Sequence, residues 1–117
     1  MIKFKIHNSE WELGLIDSDD INGNLGITYF TDYRILLAYG KKANVKNALV
    51  HELVHAFRWS YCNIISDQNK ITMMAMELEE IIANTIEAHG REIFELADKI
   101  WKDLEKEIDK VKEKEDE

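Results

Sequence analysis

Residues 47–57 read NALVHELVHAF. Ala48, Leu49, Val50, Leu53, Val54, Ala56 and Phe57 surround His51, Glu52 and His55 with uncharged side chains. Val45, Leu49, Leu53 and Ala56–Phe57 recur at helical spacing, so the stretch reads as a buried-face helix from Val45 to about Tyr61. Asn44 is placed to cap its N-terminus.

The sequence changes character on either side of this helix. Upstream, IKFKI (2–6) alternates apolar and polar residues as a half-buried strand does. EWELGLI (10–16) extends it or forms another short piece, and DSDDINGN (17–24) is a loop of turn formers. LGITYF (25–30) and YRILLAY (33–39) are rich in β-branched and aromatic residues and flank Thr31–Asp32, which predicts a hairpin. Downstream, CNIISDQNKIT (62–72) is a connector. From Met73 a long helix is expected, because Leu78, Ile82, Ile86, His89, Ile93, Leu96, Ile100, Leu104, Ile108 and Val111 step by three or four. Gly90 is a weak point inside it. The predicted fold is α+β: a short N-terminal antiparallel sheet of two or three strands, packed on the His51–His55 helix and a long C-terminal helix.

With 117 residues the chain is long enough for one core, expected over residues 1–110, with a charged tail at 111–117 that frays. The formal charge of −8 argues against a nucleic-acid surface, which needs Lys and Arg to neutralise phosphate. No apolar run approaches the roughly 20 residues of a membrane span. The N-terminus lacks the apolar core of a signal peptide, and the single cysteine, Cys62, suits a reducing compartment. The expected location is therefore the cytoplasm.

His51 and His55 lie one helical turn apart, so both imidazoles leave the same face and can converge on one ion. Glu52 is rotated by about 100° from His51, poorly placed to ligate and well placed to hold a water. H-E-x-x-H on a helix therefore reads as two zinc ligands and a general base. Zinc lowers the pKa of a bound water to roughly 7, and the glutamate takes its proton as the water attacks a carbonyl. The bland reading is two boundary histidines with Glu52 paired to a lysine. Burying such groups unpaired costs several kcal/mol, so the apolar flanks favour the single zinc ion.

ALVHELVHAF resembles the active-site helix of zincin metallopeptidases. The order of elements over roughly residues 25–90 resembles the small gluzincin-like peptidases of phages and mobile elements, related to the ImmA/IrrE group. The resemblance implies zinc-dependent peptide hydrolysis, a protein or peptide substrate, and a third ligand from E-x-x-A-N, which here is Glu80 through Asn84. It also implies that an edge strand pairs with extended substrate, and LGITYF is the candidate.

Independently of the resemblance, a catalytic site needs three protein ligands and an open position. The downstream candidates are Cys62, Glu77, Glu79, Glu80, Glu87 and His89. Cys62 lies about 10 Å along the axis from His55 if the helix continues that far. Glu77, Glu80 and Asn84 share a face, which makes Glu80 first choice and Glu77 second. His89 reads as a core residue, about 13 Å from Glu80 on a helix. Arg58 shares the motif face and is expected to pair with the acidic helix. Tyr29, Tyr33 and Tyr39 are packing residues or oxyanion donors, and Trp11, Trp59 and Trp101 read as core or boundary anchors. Two other functions compete with the peptidase: a zinc-stapled, non-catalytic module, and an interaction module whose long helix dimerises or binds a partner.

Overall fold

The computed structural model describes residues 1–62 and 75–115, with the side chains of Cys62, 75–82 and 113–115 outside the description. The elements in order are β1 (Ile2–Ile6), β2 (Ser9–Ile16), a 3-10 turn (Ser18–Ile21), β3 (Gly26–Tyr29), β4 (Arg34–Ala38), α1 (Lys42–Cys62) and α2 (Ala75–Glu115). The fold is α+β, a sheet on two helices, as the sequence predicts.

The sheet differs from the expected antiparallel one in two respects. It has four strands, ordered β1-β2-β4-β3, and β2 pairs with β4 in parallel. The loop after β2, bearing the 3-10 turn capped by the Asp17 carboxylate, carries the chain past one strand position. That makes β3 the sheet edge, and the β3–β4 hairpin then returns β4 alongside β2. Period-two patterning is the same for parallel and antiparallel neighbours, so the sequence could not tell them apart.

One face of the sheet builds the core. Phe4, Ile6, Trp11, Leu13, Ile35 and Leu37 meet Leu49, Leu53 and Phe57 of α1 and Ile93, Ile100, Leu104 and Ile108 of α2. Trp11 is fully buried, and its Nε1 donates to Ser60 Oγ at 3.2 Å. The opposite face is mixed, with Ile27 and Leu36 paired on it and Glu12 accepting from both Nε and Nη2 of Arg34 across the parallel pair.

The first helix begins at Lys42, earlier than an Asn44 cap would allow. The Lys41 carbonyl accepts from Asn44 N and Val45 N, so Asn44 already lies within the first turn. Helix α2 packs antiparallel to α1. Lys42 Nζ reaches Asp109 at 3.0 Å and Glu105 at 3.4 Å, while at the other end His89 stacks on Tyr61 at 4.1 Å. The helix continues to Glu115, through the charge run expected to fray. Among the described residues, no helix is long and apolar enough to cross a membrane.

Candidate metal centre

Helix α1 lies between two partners. Its Leu49–Leu53 face is buried, α2 covers one flank, and the His51–His55 flank opens toward β3. His51 and His55 therefore project beside the sheet edge rather than into the core. The His51 side chain is 70% exposed, whereas Glu52, rotated toward the sheet, is 6% exposed.

The two Nε2 atoms stand 3.3 Å apart. Two nitrogens bound to one tetrahedral zinc at 2.0–2.1 Å are separated by roughly 3.3 Å, so the donor pair fits the ion. The same distance admits a hydrogen bond between the rings when one is the Nε2–H tautomer. Burial lowers the pKa of His55, with smaller contributions in the same direction from His51 and Arg58, and Glu52 opposes them. The balance favours the neutral imidazole, which is the form that ligates a metal.

Glu52 presents its two oxygens to different neighbours. Oε1 accepts from Thr28 Oγ1 of β3 at 3.0 Å, and Oε2 lies 3.7 Å from His51 Nε2. Among the described residues, His51, Glu52 and His55 are the group whose ligand atoms converge, within 4.8 Å of one another. Their cleft runs along β3. One end, of about 320 Å³, is lined by Ile27, Thr28, Phe30, His51, Glu52 and His55. The adjoining end, of about 380 Å³, is lined by Leu25, Gly26, Asn47, Ala48, His51 and Glu52. Phe30 meets His55 edge-on at 6.3 Å and also packs on Trp59.

The remaining candidates divide. Helix α1 runs through Cys62, which places its backbone about 10 Å along the axis from His55, while its side chain lies outside the described residues. Glu77, Glu79 and Glu80 lie on the helical backbone of α2, but their side chains are outside the described residues. Glu80 is nine residues before His89, about 13 Å farther along α2 and on the side away from His51. Glu87 is exposed. His89 packs on Phe57 and Tyr61, and its buried Nδ1 comes no nearer than 3.5 Å to Glu92. His7, for which the sequence offers no partner, also lies against Tyr61. Tyr33 meets Trp11 edge-on, and none of Tyr29, Tyr33 and Tyr39 lines the cleft.

Sequence reasoning missed Gly26, Thr28 and Phe30 as site residues. The glycine within a β-rich run was the available signal, since a strand glycine marks a close approach. A Cβ at Gly26 would stand 3.0 Å from Glu52 Cγ and 3.0 Å from Leu37 Cδ2. No family model, curated protein or solved structure matches the chain.

Proposed function

We propose that the protein is a zinc-dependent metallopeptidase with its site at the α1–β3 cleft. The observation that carries this reading is the 3.3 Å separation of two histidine nitrogens beside a buried glutamate whose Oε2 faces them. His51 and His55 hold the ion. When bound, zinc supplies a water acidified to a pKa near 7 and a Lewis acid for the scissile carbonyl. Glu52 accepts the proton of the attacking water and returns it to the leaving amine. β3 is an edge strand of the sheet among the described residues, and its outer backbone groups are offered to an extended peptide. The open, modest volumes along it suit individual side chains of a peptide rather than an enclosed small molecule.

Glu80 is the proposed third ligand, on the E-x-x-A-N pattern, with Glu77 second. Either choice carries a structural demand. On the continuous helix they lie beyond the end of α1, so the first turns of α2 have to bend toward the histidines to deliver a carboxylate. A zinc staple would need a fourth protein ligand. Among the described residues no donor beyond His51, Glu52 and His55 joins the group, and the exposed His51 leaves the site open to solvent, which supports the enzyme reading. A staple would draw its further ligands from Cys62 or a second glutamate, whose side chains lie outside the described residues.

The test is Glu52→Gln, which should retain about one zinc per chain by elemental analysis and lose peptide-bond hydrolysis. Cleavage is read by mass spectrometry on a mixed peptide library. Wild-type cleavage that persists undiminished in Glu52→Gln would overturn the general-base role.

A further inference from the structure

Glu52 carries a buried carboxylate, and burial of a charge without hydrogen bonds is costly. The donor found for it is the hydroxyl of Thr28, 24 residues away on the edge strand. Two inward-facing positions of β3, Gly26 and Thr28, meet this one side chain. Glycine at 26 leaves room for the Glu52 stem, since a Cβ there would come within 3.0 Å of Cγ. Threonine at 28 then takes Oε1. With Oε1 held, Oε2 is the oxygen left toward the histidines.

We infer that Thr28 is a positioning residue for Glu52: its hydroxyl fixes the carboxylate so that one oxygen is anchored to β3 and the other faces the metal position. This inference rests on the peptidase reading and adds a function for a residue outside the H-E-x-x-H motif. A glutamate side chain has three rotatable bonds, and an acceptor free to rotate meets the proton in few of its conformers. A peptide paired along β3 would lie against the same strand that orients the base, which ties substrate alignment to proton transfer.

The test uses the full-length chain loaded with Co2+, whose visible absorption reports the site, and acetohydroxamic acid as probe. This probe chelates through its two oxygens and gives its O–H proton to a neighbouring base, so its affinity reads the position of Glu52 without turnover. Removing the donor with Thr28→Val, or with Thr28→Ala as a second variant, should leave Co2+ affinity within about twofold and weaken the probe about tenfold. Thr28→Ser keeps the donor and should bind the probe within about twofold of wild type. In a Glu52→Gln background Thr28→Val should have no further effect, because Thr28 acts through Glu52.

Unchanged probe affinity in both donorless variants would overturn the inference, as would an equal loss in the Glu52→Gln background. Circular dichroism separates these outcomes from misfolding, and a folded Thr28→Ser as weak as Thr28→Val also overturns it. Failure of the wild type to bind Co2+ at all would instead remove the metal reading beneath it.

Discussion

His55 is the ligand candidate whose protonation the fold alters most clearly. Burial disfavours its cationic form, and neighbouring His51 and Arg58 act in the same direction against Glu52. Its folded pKa is therefore below the value near 6.5 expected when unfolded. The unfolded chain then binds the proton more readily, so acid favours unfolding. Above about pH 8 the group is neutral in both states and contributes no pH dependence. Stability falls as pH drops through about 6.5 toward the folded pKa, and levels off below it. Urea denaturation of the metal-free protein at a series of pH values should show this loss. His55→Gln should flatten that part of the profile, and an unchanged profile would exclude His55 as its source. At this scale the motif was legible because its parts are local: His55 lies four positions after His51, and helix geometry alone brings them together. Thr28 was not legible, because its partner lies across the sheet–helix interface and a threonine in a strand is unexceptional.

Helix α2 shows what periodicity reveals about an element and what it leaves out. Ile93, Ile100, Leu104 and Ile108 are buried along its predicted stripe, whereas the expected Leu96 is half-buried beside a buried Ala97, and Ile86 on the same stripe is 48% exposed. Among the described residues the last contact of α1 on this helix is Tyr61 stacked on His89, and Ile86 lies about one turn before it. A stripe identifies a face, whereas the length of the neighbouring helix decides how much of it is covered. The same logic explains the parallel β2–β4 pair, which depends on where the loop delivers β3 rather than on strand patterning. Gly90 belongs to this element and gives a clean prediction. It has no positive φ, and an added Cβ would make an ordinary 3.6 Å contact with Ile86 Cγ2. Gly90→Ala should therefore raise stability by about 0.5–1 kcal/mol through helix propensity, seen as a higher thermal midpoint. A fall in stability would show that the glycine serves a bend in α2 rather than the straight helix.

The molecule as a whole is less compact than its length requires. Its radius of gyration is 15.1 Å, against about 13.4 Å for a compact chain of this size. The excess follows from a 41-residue α2 beside a 21-residue α1, the α2 helix being about twice as long as its described partner. A chain with so small a core gains stability from any ligand that binds the folded state alone. The converging nitrogens of His51 and His55 exist only when α1 is formed, and the net charge of −8 attracts cations to the folded surface. Zinc at about 100 times its dissociation constant should therefore stabilise the fold by roughly 2.7 kcal/mol, a shift of about 10 °C in the thermal midpoint. His51→Gln should abolish most of that shift while leaving the metal-free midpoint almost unchanged, because its side chain is solvent-facing. Glu80→Ala and Glu77→Ala extend the same measurement to the third ligand. The glutamate that ligates should weaken zinc by at least tenfold on removal, and the other should leave the shift intact. If neither reduces the zinc shift, neither Glu77 nor Glu80 ligates the ion, and the proposed third ligand is overturned.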